Sequence, residues 1–256
     1  MVADDDRPVA IATRRERVRA ATVVEIKATA RRLLVEQGAE SVTLRAIARE
    51  MGMTAPALYR YFASHEELLR AVIADVYDEL ADALEAARDA IDEDEPAERL
   101  FAMARAFRGW SVDHRREFGL VFATPIPVAV DAPSPLDKAG SRFGAAFIGA
   151  FFELFKRRPF PVGADEDLPP ALRDQLADYR DLLCRQIGDQ VLELPLGSFE
   201  TFLSCWVQLY GFVALEVFEH LTFALVDPEP AFEANLRHLA GRLGTTVRDA
   251  LESDRP

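Results

Sequence analysis

The sequence predicts an all-α fold, and three observations support this prediction. Apolar residues recur along most of the 256-residue chain at positions i, i+3, i+4 and i+7, which is the spacing of one helix face. Ser/Thr-x-x-Glu boxes and single glycines mark places where helices begin and end. Strand signals are weak, because no Asn-Gly or Asp-Gly hairpin turn occurs. We therefore expect a three-helix N-terminal head followed by a larger helical bundle.

The head is predicted to begin with a helix that starts at Thr13 or at Thr22, since each opens a Thr-x-x-Glu box, and that ends before Gly38. The acidic residues 1–12 are predicted to be disordered, which leaves a head of residues 13–66 and a body of residues 67–256.

Charge separates these two parts of the chain. Residues 7–65 contain eleven Lys/Arg and five Asp/Glu, whereas residues 67–256 contain 19 Lys/Arg and 34 Asp/Glu. A basic head on an acidic body is typical of a protein whose head binds nucleic acid. Chance clustering of basic residues on a solvated helix is the alternative.

Two short helices joined by a glycine-containing turn are predicted next. Thr43 caps the first and Gly52 ends it, and Thr54 caps the second. Such a pair has the geometry of a DNA-reading helix-turn-helix. Small residues at the start of the second helix allow it to enter a major groove: Ala55, Pro56 and Ala57.

A resemblance to the TetR family of bacterial transcriptional regulators rests on residues 42–69, VTLRAIAREMGMTAPALYRYFASHEELL. In the family pattern, a threonine is followed by an aliphatic residue, then by Ile-Ala, by Gly-Val and by small residues. The pattern ends with Leu-Tyr-x-His/Tyr-Phe and Ser-Lys-Glu-x-Leu. The resemblance covers about residues 20–70. Two positions depart from the pattern: His65 stands where the family usually has lysine, and Met53 replaces a β-branched residue.

The resemblance implies a role for each residue of the helix-turn-helix. Arg45 would contact a base edge, and Thr54, Ala55, Pro56 and Ala57 would face the groove. The remaining predicted DNA contacts, mostly to phosphates, are Thr43, Tyr59, Arg60, Tyr61 and His65. A basic arm would touch the DNA backbone or the minor groove: Arg14, Arg15, Arg17 and Arg19. The alternatives are packing roles for the two tyrosines, a solvated surface for Arg45, an ordinary N-terminal helix position for His65, and a solubilising role for the arm.

The body is predicted to contain a long helix that Ser64 opens and that runs to about residue 90, followed by an acidic linker and six more helices. They are predicted at residues 96–113, 116–123, 136–157, 169–190, 198–225 and 229–252.

Aromatic residues of the body are predicted to line a ligand pocket, although ordinary core packing is the alternative. They are Phe107, Trp110, Phe118, Phe122, Phe151, Phe155, Tyr179 and Trp206. Polar candidates for fixing a ligand are His114, Cys184 and Gln208.

The helix at 198–225 is apolar nearly all round, which predicts a homodimer interface with the final helix, unless the helix is buried in a monomer. The predicted contacts are Phe199, Phe202, Leu209, Phe212, Val213 and Leu236. The apolar composition around Trp206 and Gly211 resembles the WHG-like C-terminal subclass of the TetR family.

No catalytic motif such as GxSxG, HExxH or GxGxxG occurs, and the four histidines lack metal-ligand spacing. We expect no enzyme activity, no cofactor and no metal. Uncharged residues 201–215 are too few to span a bilayer, and no secretion signal is visible, so we expect a soluble, cytoplasmic protein without a membrane partner.

Together with the resemblance, these observations imply a ligand-responsive repressor. A homodimer would bind a near-palindromic operator in double-stranded DNA and leave it when a small apolar effector binds. The alternative is a helical small-molecule-binding protein without DNA-binding activity.

Overall fold

The computed structural model describes residues 13–123 and 134–248, and the chain divides into two compact units, Met1–Ile73 and Ala74–Pro256. The predicted boundary between residues 66 and 67 falls within the same helix as this division. The predicted disorder of residues 1–12 and the last residues of the predicted final helix, 249–252, lie outside the described residues.

The first unit contains three helices and the beginning of a fourth: α1 (Arg14–Gln37), α2 (Leu44–Glu50), α3 (Ala55–Leu58) and α4 (His65–Asp89). Of the two predicted starts for α1, the structure uses Thr13. Its hydroxyl accepts the Glu16 amide at 3.3 Å, and the Glu16 carboxylate accepts the Thr13 amide at 2.6 Å. The Thr22 hydroxyl instead donates to the Val18 carbonyl at 2.9 Å, inside the helix.

The core of the first unit takes at least one fully buried aliphatic side chain from each of its helices. Its members include Ile26, Leu33, Ile47, Leu58 and Leu68. Gly38, with a φ of 90°, and Gly52, with a φ of 64°, turn the chain after α1 and after α2. Glycine adopts these backbone angles at little cost, so the three helices can fold back on one another.

The second unit contains the rest of α4 and six further helices: α5 (Pro96–Asp113), α6 (Arg115–Phe122), α7 (Pro135–Arg157), α8 (Pro170–Ile187), α9 (Leu196–Val217) and α10 (Glu229–Arg242). No β-strand occurs in residues 13–123 or 134–248. The predicted all-α fold is therefore confirmed.

Three helices of the second unit end earlier than predicted. The extensions to residue 190 for α8, to 225 for α9 and to 252 for α10 were wrong over the described residues. In each case a residue with positive φ follows: Gly188 at 101°, Glu219 at 61° and Gly244 at 60°. Apolar periodicity continues past these residues, but a helix cannot, because positive φ breaks its hydrogen-bond ladder.

Two arginines of α5 hold α9 and α10 through ion pairs, two of them with the buried carboxylates of Glu216 and Glu233. Arg108 donates twice to Glu216, at 2.7 Å each, and once to Glu229, at 2.5 Å. Arg105 donates to both carboxylate oxygens of Glu233 at 2.8 Å. Burial opposes the charged form of Arg108, but hydrogen bonds to Glu216 and Glu229 outweigh it and raise its pKa. These pairs fix the position of both helices relative to α5.

Candidate nucleic-acid interface and ligand cavity

The turn between α2 and α3 has the geometry expected of a helix-turn-helix. Thr43 caps α2, because its hydroxyl accepts the Ala46 amide at 3.1 Å. After Gly52, the Met53 amide donates to the Ala48 carbonyl at 2.8 Å, which closes the turn against the end of α2. α3 then begins at Ala55. The closed turn thus holds α2 and α3 together as one helix pair.

The leading end of α3 lies on the surface of the first unit. Thr54 and Pro56 are exposed, and Ala55 and Ala57 are half-buried. The Thr54 side chain makes no capping hydrogen bond, so its hydroxyl is available to a ligand. Leu58, on the opposite side of the short helix, is fully buried and anchors it. The end that would enter a groove is therefore uncovered by the rest of this unit.

Most of the polar residues assigned to DNA are exposed around this end. Thr43, Arg45 and Arg60 are exposed, and the Tyr59 side chain is 54% exposed. Neither Arg45 nor Arg60 forms a side-chain ion pair with any residue that the structure describes. A guanidinium without an intramolecular partner keeps all its donors free for phosphates or base edges.

Tyr61 differs from Tyr59, because it is half-buried and lies under an arginine of α1. The Arg19 guanidinium sits 5.1 Å from the centre of the Tyr61 ring and donates to the Arg60 carbonyl at 3.2 Å. Arg19, predicted as part of a basic arm that touches DNA, thus fastens α1 to the chain segment between α3 and α4. Sequence spacing gave no sign of this contact, since 41 residues separate Arg19 from Arg60.

His65 is committed to a backbone contact. Its Nε2 donates to the Val42 carbonyl, one residue before the cap of α2. The ring therefore ties the start of α4 to the start of α2, and only the remaining face of its exposed side chain is open to a phosphate. This structural role differs from the direct phosphate contact that the sequence resemblance implied.

Comparisons with known proteins agree with this geometry. The family model of the bacterial regulatory proteins of the tetR family matches residues 26–72, and that of the tetracyclin repressor-like C-terminal domain matches residues 100–239. The transcriptional regulators Mb1846 of Mycobacterium bovis and Rv1816 of Mycobacterium tuberculosis are each 31% identical to this chain over 229 residues, which cover 87% of this chain and 91% of the relative. The chain belongs to the TetR family.

A crystal structure, that of the regulatory protein SCO4313, superposes with a TM-score of 0.66 at 31% identity, covering 90% of this chain and 100% of that one. The predicted family is therefore confirmed, and so is the predicted function as a DNA-binding transcriptional regulator. TetR regulators bind DNA and dimerise. None of the described helices is long and apolar enough to cross a membrane.

The body of this TetR regulator contains a small apolar cavity bounded by four helices. Its lining residues come from α5, α7, α9 and α10 and from the residue that follows α10: Leu100, Phe101, Ala104, Phe147, Phe151, Phe202, Cys205, Trp206, Leu209, Leu236, Leu239 and Leu243. The cavity volume is about 40 Å³. Ligand pockets usually measure ~300–1,000 Å³, so the described cavity is much smaller than a usual ligand site.

Only two of the predicted pocket residues, Phe151 and Trp206, line this cavity. Phe107, Phe118 and Phe122 pack against one another, with ring centres 4.7–6.3 Å apart. The other predicted residues have protein partners: Trp110 donates to Glu79 at 3.1 Å, Phe155 packs on Phe160 and Tyr179 packs on Phe199. The described cavity thus differs from the predicted pocket, which stays a prediction, and its twelve lining residues are a second candidate site.

The polar candidates also have protein partners. The His114 ring stacks on Trp110 with its centre 4.6 Å away, and Gln208 donates to Asn235 at 2.5 Å. Cys184 donates to Asp189 at 3.1 Å. Cys205 was not predicted, yet its thiol is the sulfur that lines the cavity. Burial raises the pKa of that thiol.

The predicted dimer contacts lie mostly inside one subunit. Phe199, Val213 and Leu236 are fully buried, and Leu209 is nearly so, because α9 and α10 turn these residues towards the core of their own subunit. Phe202 and Phe212 are half-buried. The outward face of α9 instead carries an apolar stripe: Leu203, Val207, Gly211, Ala214, Leu215 and Phe218. This stripe is a second candidate interface beside the predicted contacts, which stay a prediction.

Proposed function

We propose that this TetR regulator is a repressor whose α3 enters the major groove of a near-palindromic operator. The exposed, unobstructed start of α3 is the single observation that carries this proposal. Ala55 and Ala57 are small enough for the backbone to approach thymine methyl groups, and the free guanidinium of Arg45 suits the two acceptors of guanine. Thr43, Tyr59 and Arg60 then hold phosphates on either side.

We propose that the active form is a dimer joined through the apolar stripe of α9. Gly211 in α9 and Gly241 in α10 each have open space on the side where other residues carry a Cβ atom, with no heavy atom of a neighbouring element within 4 Å of it. A partner helix can therefore approach closely there. The face also holds Leu203 and Val207, which are 43% and 61% exposed in one subunit. Two heads related by a two-fold axis match the two half-sites of a palindrome.

We propose that the effector is a small apolar molecule that enlarges the cavity below α9. Trp206 lies on the cavity wall, and its ring centre is 5.8 Å from that of Phe143, which in turn is 5.6 Å from Tyr77 of α4. Moving the wall thus displaces a side chain of α4, the helix that continues into the DNA-binding unit. An effector that fits only the enlarged cavity favours that conformation and lowers operator affinity. Such a regulator acts where the chromosome is, in the bacterial cytoplasm.

Operator binding tests the assignment of Arg45. Fluorescence anisotropy with the DNA upstream of the protein's own gene should give specific binding, and Arg45→Ala should weaken it by ~1–3 kcal/mol and relax the preference at one base pair. Arg49→Ala is the matched control, because Arg49 is an exposed arginine of the same helix and should affect sequence preference little. Equal loss of preference in both variants would contradict a base contact by Arg45.

A further inference from the structure

The turn between α9 and α10, residues 218–228, exposes its apolar side chains to solvent. Phe223 is 88% exposed, and Val226 is completely exposed. Phe218 and Ala224 are exposed beside them. Exposed apolar residues are ordinary when they are scattered, but several within one short segment form a patch, and such patches are typical of protein interfaces.

Hydrogen bonds inside the turn hold these side chains outward. The His220 amide donates to the Leu215 carbonyl at 2.7 Å, and the Leu225 amide donates to the Leu221 carbonyl at 2.9 Å. Glu219 takes a φ of 61°, an unusual angle for a residue with a side chain. The turn is therefore a folded element, and ordering it on a partner costs little further conformational entropy.

An arginine of α6 fastens the beginning of the turn. Arg115 donates to the Val217 carbonyl at 3.0 Å and to the Glu219 carboxylate at 3.4 Å. The guanidinium thereby satisfies a carbonyl at the end of α9 that the helix leaves unpaired. Arg115 sets the direction in which the turn leaves α9.

The apolar patch of the turn continues the outward stripe of α9. Val207, Leu215 and Phe218 follow one another along that face, and the chain then passes directly into the turn that carries Phe223 and Val226. The segment contains Glu219 and Asp227 but no lysine or arginine. This acidic balance disfavours an anionic lipid surface as the occupant and leaves an apolar protein surface as the better match.

We propose that the α9–α10 turn packs against a second copy of this chain and extends the dimer interface, an inference that rests on the dimer proposed for α9. A buried phenylalanine removes ~150–250 Å² from water. Two-fold symmetry brings two copies of Phe223, which together supply roughly a quarter of a standard interface of ~1,600 Å². The apolar area that the turn adds to the interface thus compensates for the small contact area of Gly211 and Ala214 in the middle of the α9 stripe.

Sedimentation equilibrium of the double variant Phe223→Ser, Val226→Ser tests this proposal. We expect the dimer dissociation constant to rise by about 30-fold or more, because symmetry removes each side chain twice. Both residues are exposed in one subunit, so the variant should keep its circular dichroism spectrum. Val24→Ser and Leu192→Ser remove exposed apolar residues elsewhere and should leave the dissociation constant unchanged.

A photoreactive residue at position 223 identifies the surface that the turn meets. The proposal requires a covalent dimer after irradiation, whereas cross-links only within one chain would overturn it, as would an unchanged dissociation constant in the double variant. The variant Val207→Asp tests the proposed α9 interface independently of the turn. If Val207→Asp dissociates the dimer and the turn variant does not, the α9 interface stands and the role of the turn fails. If the chain is monomeric at all concentrations, both the proposed α9 dimer and the proposed role of the turn are wrong.

Discussion

In the head, the residues assigned to DNA lie on the surface of two short helices and the turn after them, whereas in the body the cavity draws its lining from four helices. The α2–α3 segment presents Thr54 and Pro56 outward while Leu58 alone anchors α3. The body instead buries most of its functional side chains, and ion pairs such as Arg108–Glu216 fix the helices that carry them. Substitutions in the head should therefore change binding without changing stability, and substitutions in the body should change stability first.

Breaking the Arg108 ion pairs should have the largest effect. Arg108→Ala leaves the Glu216 side chain, which is 4% exposed, without its main partner, and we expect a loss of ~3–5 kcal/mol in the free energy of unfolding. Urea denaturation followed by circular dichroism measures it. Arg157→Ala removes an exposed arginine that pairs with Asp94 and should cost less than ~1 kcal/mol. If the two variants lost similar amounts of unfolding free energy, the burial of the Arg108 ion pair would not explain its contribution to stability.

Filling the cavity should raise the stability of the protein and weaken its response to the effector. Ala104→Val adds two methyl groups to the cavity wall, and cavity-filling substitutions commonly raise the free energy of unfolding by ~0.5–2 kcal/mol. The variant should bind operator as the parent does but need more effector for release. Thermal unfolding and anisotropy in the presence of an apolar effector measure these effects. A variant that is more stable yet equally responsive would place the effector outside this cavity.

The smallest expected effect is in the head. Tyr59→Phe removes one hydroxyl from an exposed ring, and we expect operator binding to weaken by ~0.5–1.5 kcal/mol while the unfolding free energy stays unchanged. Tyr179→Phe is the matched control, since Tyr179 is an exposed tyrosine of the body. Unaltered operator affinity in Tyr59→Phe would assign Tyr59 a role other than phosphate binding.

The same contrast explains which features the sequence could predict. The caps Thr13 and Thr43 and the stops Gly38 and Gly52 are local signals, so they located the helices of the head well. Contacts between distant residues escaped prediction. The pair formed by Arg19 and Tyr61 has no local signature, because only the fold brings the two side chains together.

In the body, apolar periodicity identified residues that face inward but could not separate a filled core from an empty space. Phe107 was predicted to line a pocket from its type and position, and in the structure its ring packs on those of Phe118 and Phe122 and does not line the described cavity. The all-round apolar character of α9 likewise hid which face meets its own subunit. Phe199 and Leu203 look equivalent in sequence, but the first is fully buried and the second is 43% exposed.

The small cavity has a consequence for sensitivity to the inducing compound. A cavity of about 40 Å³ is much smaller than the ~300–1,000 Å³ of a usual ligand pocket, so under the proposed mechanism the inducer binds only the fraction of molecules in which the cavity has enlarged. The apparent dissociation constant of the inducer equals the intrinsic constant divided by that fraction. An enlarged population of about 1% therefore raises the inducer concentration needed about a hundredfold. Substitutions that loosen the wall should therefore create hypersensitive regulators without improving a single contact to the inducer.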